Sequence, residues 1–242
     1  MFGDGEGLTV FGGGTILLPE ISAGRLKPER ALMLHKAGLD SMRDDGDTVV
    51  IGAMVPISAL VQDAEPLIAE TAAHLADLEV RRSATIGGNL CAAPADDAQR
   101  GDLGGPFIAL GARVRYASGD SEDLVPVEDF LTGDRSGKLV LSVEYDRLDR
   151  RSAGGGLRRR HAHSYSIATV AACSRPDGSD LRVAVTGVGP TAVRCRTVEQ
   201  SRNADDVLQD VTPVDDAVAS AAYRRAVLPK LVREALDQLE QA

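Results

Sequence analysis

Between Arg81 and Asp97 the chain reads Arg-Arg-Ser-Ala-Thr-Ile-Gly-Gly-Asn-Leu-Cys-Ala-Ala-Pro-Ala-Asp-Asp, and the pair Gly87-Gly88 at its centre is the feature around which the rest is arranged. Glycine has no Cβ, so a pair can enter left-handed backbone conformations and leaves nothing to obstruct an approaching ligand. A loop of this kind can turn successive N–H groups towards an anion and so form a phosphate-binding concavity. On the dipeptide alone, a plain turn is the simpler reading. A second glycine run, Gly12-Gly13-Gly14-Thr15, follows Leu8-Thr9-Val10-Phe11, which reads as a short strand. A strand running into a glycine turn suits the same close approach to phosphate, and a tight turn is again the bland alternative. Neither run has the G-x-G-x-x-G spacing of a Rossmann fingerprint or the Gly-Lys-Ser/Thr ending of a P-loop.

With 242 residues, 43% of them hydrophobic, the chain is long enough for one large domain or two small ones. Aromatics are only 3%, without tryptophan, so aliphatic side chains must fill the core. A net charge of −9 argues against nonspecific binding to nucleic acid or to an anionic membrane. No apolar run is long enough to span a bilayer. The opening Met1-Phe2-Gly3-Asp4-Gly5-Glu6 lacks the pattern of a signal peptide, so a cytoplasmic location is the default expectation. Cys91, Cys173 and Cys195 are far apart and cannot hold an iron–sulfur cluster by themselves. Cys173 and Cys195 read as small buried side chains, and core packing is also the favoured reading of Cys91.

Along the chain, residues 48–53 read as a buried strand. Ser58 is placed to cap a helix through Leu60 and Val61, and a second helix is expected over 66–78. Alternating strand and helix suggest an α/β first half. His74 falls on the second helix without a partner at metal-ligand spacing. Asp96-Asp97, adjacent carboxylates, read as a helix cap or a solvated turn. Residues 107–112 close a helix. Residues 113–116 and 139–145 read as strands of a second, antiparallel α+β layer, with a short helix near 127–133 between them. Residues 147–160 gather six arginines around Gly154-Gly155-Gly156 and read as a domain junction facing a ligand or a partner. The acidic balance and the lack of interleaved aromatics speak against nucleic acid there. Residues 166–172, 181–188 and 192–195 form a meander, with the Asp177-Gly178 turn between the first two. Helical spacing begins at Val214, and Pro229 is expected to break or kink it. The expected fold class is α+β. A two-part domain over 1–148, with a small α/β part and an antiparallel α+β part, precedes a small β-meander and helix domain over 149–242.

Phe11-Gly12-Gly13-Gly14-Thr15-Ile16-Leu17-Leu18-Pro19 and the stretch around Gly87 together resemble the two flavin-binding motifs of the FAD-binding subunits of molybdenum hydroxylases. That family includes the medium subunit of carbon monoxide dehydrogenase and the flavin domain of xanthine dehydrogenase. Gly187-Val188-Gly189-Pro190-Thr191-Ala192-Val193-Arg194 resembles a segment of the family's C-terminal domain. Ala222-Tyr223-Arg224-Arg225, followed by Leu231-Val232-Arg233-Glu234-Ala235-Leu236, resembles its last helical segment. These blocks stand in family order over nearly the whole chain. The chain departs from the pattern at Ile16, where the family often has Asp, and at residues 98–105, which are longer than the usual link to the next helix.

The resemblance implies noncovalent FAD, held by Gly12, Gly13, Gly14, Thr15, Ile16 and Leu17 of the first motif. Thr85, Ile86, Gly87, Gly88 and Asn89 of the second would join them, with N–H groups and the Thr85 hydroxyl cradling the pyrophosphate. It places Asp97 where the family has an aspartate on the ribityl chain, and Tyr165 where some relatives pack an aromatic against the flavin ring. Tyr165 also reads as a strand aromatic covering the C-terminal core. The flavin itself carries the redox chemistry, so no catalytic side chain is expected. The resemblance further implies a partner small subunit with [2Fe–2S] clusters and a partner large subunit with a molybdenum cofactor, where substrate is oxidised. Electrons would pass through the clusters to FAD and on to NAD⁺, a quinone or another acceptor. A dimer of heterotrimers is an assembly it allows. The alternative is a structural or assembly subunit of such a complex that has lost FAD.

Overall fold

The computed structural model describes residues 7–92, 101–159 and 165–242. Its β-branched and aliphatic stretches form three sheets. β1 (Leu8–Phe11) and β2 (Arg30–Met33) make a two-stranded parallel pair. β3 (Met42–Asp44), β4 (Thr48–Gly52), β5 (Arg113–Ser118), β6 (Ser121–Pro126) and β7 (Leu139–Asp146) make an antiparallel sheet in the order β3-β4-β7-β5-β6. β8 (Arg151–Arg158), β9 (Ser166–Ser174), β10 (Arg182–Thr186) and β11 (Val193–Arg194) make another, in the order β11-β10-β9-β8. The architecture is the expected mixture of α and β with antiparallel sheets.

Short helices connect these strands: α1 (Leu17–Ser22), α2 (Ile57–Asp63), α3 (Pro66–Ala73), α4 (Leu78–Ser83), α5 (Ile86–Leu90), α6 (Gly104–Ala109), α7 (Val127–Thr132), α8 (Arg196–Ser201) and α9 (Val207–Asp210). The long α10 (Ala221–Gln241) ends the chain. The helix expected over 66–78 is divided. α3 stops at Ala73, Ala76 takes a positive φ of 45°, and the Asp77 carboxylate caps α4 by accepting the Val80 amide at 2.8 Å. The carbonyls of Leu75 and Ala76, left over by the break, accept from Arg81. Ser58 caps nothing, because α2 already begins at Ile57 behind Pro56. The C-terminal helix starts at Ala221 rather than Val214, where the Ser220 hydroxyl accepts the Tyr223 amide.

Pro229 does not end α10. A proline inside a helix costs about 3 kcal/mol, whereas a fully buried Leu or Val contributes about 1.5–3 kcal/mol. Leu228, Val232 and Leu239 are buried on the face that α10 turns to the last sheet, so burial outweighs the proline.

Residues 151–158, within the stretch read as a junction, are a strand. Glycines carry no strand signal of their own, but here they permit close packing. A Cβ on Gly154 would meet Leu67 of α3 at 2.7 Å, and one on Gly156 would meet Thr169 of β9 at 2.8 Å. Several nearby arginines tie elements together. Arg150 donates to the carbonyls of Leu110 and Asp146, Arg158 to that of His74, and Arg159 to those of Ala217 and Val218.

Buried side chains gather in two clusters. The first lies among β4, β5, β7 and α2–α7, and includes Ala171, Cys173, Ala184 and Ala192 from the last sheet. The second lies between the opposite face of that sheet and α8–α10. The sheet β8–β11 is thus covered on both sides and joins the two clusters. Cys173 and Cys195 are buried as expected, and burial pushes the Cys173 thiol up to about 12.

Candidate flavin site

The second glycine motif is the short helix α5, not an open loop. Thr85 is its N-cap, its hydroxyl oxygen accepting the Gly88 amide at 3.2 Å. The Ile86 amide donates to the Val55 carbonyl and the Gly87 amide to that of Ala53. Neither Gly87 nor Gly88 has a positive φ. Gly87 is glycine because α5 sits directly on the end of β4; a Cβ there would meet that of Ala53 at 2.9 Å. The amides expected to cradle an anion are therefore engaged in holding α5 in place. Gly88 differs from its neighbour. It is exposed, and a Cβ on it would meet only the Thr85 hydroxyl, at 3.1 Å.

The first glycine run supplies what the second does not. The amides of Gly13, Gly14, Thr15 and Ile16 donate to no backbone carbonyl among the described residues. Gly14 takes the positive φ, 72°, that turns the chain from β1 into α1. Gly13 lies against the Ser83–Ala84 backbone so closely that a Cβ would overlap the Ser83 carbonyl. Gly12 lies against Thr85, whose hydroxyl would be 2.8 Å from an added Cβ. Free amides in a glycine turn form a concavity suited to an anion.

These two motifs form the walls of a cavity of about 670 Å³. Gly12, Gly13, Gly14, Thr15, Ile16 and Leu17 line one side; Thr85, Gly88 and Asn89 line another. Tyr165, just before β9, lines the same cavity and is 46% exposed, so it does not cover the C-terminal core. Of the residues expected together, Ile86 and Gly87 do not line the cavity; both are buried in the first turn of α5. Asp97 lies outside the described residues. Cys91 is exposed and lines the cavity, contrary to the core packing expected of it.

The sequence reading does not include Asp102, yet it lines the cavity, as does Glu20 of α1. It is 8% exposed, and Ser166 donates to its Oδ2 at 2.9 Å. Burial pushes its carboxyl above the usual range; the Ser166 hydrogen bond and the Arg158 charge act the other way. The Asn89 side-chain oxygen accepts the Leu103 amide at 3.1 Å and so ties this segment to α5. The available signal was its place directly before α6. The family resemblance points to Asp97 instead.

The cavity fits a dinucleotide flavin on its own chemistry. Its volume lies within the usual 300–1,000 Å³ of cofactor sites, and it offers unpaired amides at one place and a buried carboxylate at another. No described helix is long and apolar enough to cross a membrane. Among the described residues, no three His, Cys, Asp or Glu side chains gather where they could hold a metal ion.

Several known proteins are similar to this chain. The carbon monoxide dehydrogenase medium chain of Hydrogenophaga pseudoflava is 29% identical over 96% of this chain and 89% of its own length. The 6-hydroxypseudooxynicotine dehydrogenase complex subunit alpha of Paenarthrobacter nicotinovorans is 26% identical over 96% and 86%. The solved carbon monoxide dehydrogenase from Hydrogenophaga pseudoflava superimposes with a TM-score of 0.86 at 24% identity, over 97% of this chain and 90% of that one. Quinoline 2-oxidoreductase from Pseudomonas putida 86 does so with 0.83 at 20%, over 97% and 90%. At such identities the structures establish a shared fold. Residues 1–145, which carry both glycine motifs and Asp102, match the family described as the FAD binding domain in molybdopterin dehydrogenase, and the chain belongs to that family.

Proposed function

We propose that this chain is the FAD-carrying electron-transfer subunit of a molybdenum hydroxylase complex. The observation that carries the reading is the cavity at which four unpaired amides, Gly13 to Ile16, meet the exposed face of α5. Those amides hold the pyrophosphate, and Gly88 lets it approach the helix. The Thr85 hydroxyl, while accepting from Gly88, still has its proton to donate. Asp102, rather than Asp97, accepts hydrogen bonds from the sugar-like hydroxyls of the ribityl chain. Tyr165 packs against the ring and keeps water from that face. Bound flavin supplies the redox chemistry, accepting electrons one at a time and giving them up singly or in pairs.

The donor is a [2Fe–2S] cluster on a small partner subunit, and substrate is oxidised at a molybdenum cofactor on a large one. NAD⁺, a quinone or another acceptor takes the electrons away. The complex assembles as a dimer of such heterotrimers in the cytoplasm. The two relatives named above are a medium chain and a complex subunit of dehydrogenases, which supports this division of labour.

The visible absorption spectrum of the purified chain tests the reading. Flavin bands near one per chain are expected, with all the yellow colour released into solution on acid precipitation. No bands after FAD addition would leave a structural or assembly subunit. Colour retained in the pellet would contradict noncovalent binding. Co-purification of the tagged chain with the two partners tests the assembly.

A further inference from the structure

Among the described residues, Arg224 is the largest fully buried side chain, at 1% exposure. Its guanidinium makes four hydrogen bonds. Nη2 pairs with the Asp216 carboxylate at 2.6 Å, itself 3% exposed, and Nη1 donates to the carbonyls of Val214 and Ala219. Nε reaches across to the Ile167 carbonyl at 2.9 Å. Three of these contacts fold the loop before α10. The fourth does something else: it fixes the first turn of α10 to the first residues of β9.

That end of β9 bears on the cavity. Tyr165 lines it, and Ser166 donates to the Asp102 carboxylate in its wall. Strand pairing alone holds this end loosely, because the β8–β9 register shifts between Leu157 and Arg158, opposite Ser166. Such irregularities break the regular ladder. On the far side, Gly187 packs its backbone under the Ser166 carbonyl, which only a residue tolerating φ of 81° allows.

We propose that Arg224 is a positioning residue of the flavin cavity, acting from the C-terminal helix through the Ile167 carbonyl to set Ser166, Asp102 and Tyr165. The proposal rests on the FAD reading above. It assigns a role in the site to a residue outside the matched 1–145 region. A buried guanidinium holds a planar set of acceptors that no other side chain can match, and lysine reproduces it only in part.

The test is FAD titration of the full chain, well below the melting temperature of each variant. Arg224→Met is expected to weaken FAD by about tenfold or more, the scale of a lost hydrogen bond to a charged group. Arg224→Lys restores part of the loss. Leu239→Ala serves as the control: it removes core packing at the other end of α10, lowers the melting temperature, and leaves FAD affinity unchanged. In a double-mutant cycle with Ser166→Ala the losses do not add, because both act on one arm. In the flavin-free protein, amide exchange over residues 165–168 quickens in Arg224→Met and not in Leu239→Ala. Unchanged affinity and exchange in Arg224→Met, or equal losses in Leu239→Ala, would overturn the proposal. Wild-type chain that takes up no FAD would overturn the functional reading instead, and the exchange data would then decide the positioning role alone.

Discussion

Two glycine motifs that look alike as letters behave differently as structure. In the first, residues 12–16, the glycines make a turn whose amides stay free and whose backbone is pressed against Ser83 and Ala84. In the second, Gly87 and Gly88 belong to a capped helix whose amides are bonded to Ala53, Val55 and Thr85. The first motif offers donors; the second offers a surface without side chains. Packing demands Gly12 and Gly13 in the first and Gly87 in the second, whereas a Cβ on Gly88 would meet only the Thr85 hydroxyl, at 3.1 Å, among the described residues. A residue that the fold does not require to be glycine, on the wall of a cavity, is the clearest sign that something else must approach it.

Substitutions can break that comparison. The largest effect is expected from Gly13→Ala, which forces the turn away from Ser83. Overpacking of this kind costs about 1–3 kcal/mol, and FAD binding should be abolished along with it. Melting temperature and flavin content measured together check both halves. Gly88→Val comes next: FAD affinity should fall by about a hundredfold, because a branched side chain occupies cofactor space, while stability changes by less than about 1 kcal/mol. A well-folded Gly88→Val with full flavin would show that α5 is not a contact surface.

Asp102→Asn should weaken FAD by about tenfold, since the amide keeps one acceptor oxygen where the carboxyl group has two. It should also stabilise the flavin-free protein at neutral pH. Burial raises the Asp102 carboxyl in the folded state, so its favourable protonated form is present in acid. That stability is lost as pH rises through the raised folded-state value. The gain from Asn therefore appears above that value and vanishes below the unfolded carboxylate range, near about pH 4. Denaturation curves with pH would contradict this if the gain persisted in acid. The smallest effect belongs to Thr85→Ala, which removes the α5 cap at a cost of about 1 kcal/mol and loosens FAD a few-fold; Thr85→Ser should recover most of it.

What could be read from the letters follows from where local chemistry decides. Residues 48–52, 139–146 and 166–174 are β-branched and apolar, and they are strands. Residues 151–158 are a strand because of neighbours: only Leu67 and Thr169 explain why glycines stand there. The helical period through 66–78 was real, but one capping carboxylate, Asp77, outweighed it. Gly-Gly suggested a turn at 87–88, and the carbonyls of Ala53 and Val55, more than thirty residues away, made it a helix. Both cavity-lining motifs were visible as glycine runs. Asp102 was hidden because its place depends on the Asn89–Leu103 hydrogen bond across an intervening segment of uncommon length.

The last sheet lends Ala171, Cys173, Ala184 and Ala192 to the first core, and β9 brings Ser166 to Asp102. The order of biosynthesis gives that sharing a cost. When the ribosome has released residues 1–145, the apolar faces of α6 and β7 still lack their cover. At about 5–20 residues per second, roughly two to ten seconds pass before Ala192 follows. Through that interval the nascent chain carries exposed aliphatic surface, which invites chaperone capture. The cavity gains Tyr165, and Asp102 its Ser166 partner, only after residues 1–145 have been made, so a chain stopped there lacks part of the cavity wall.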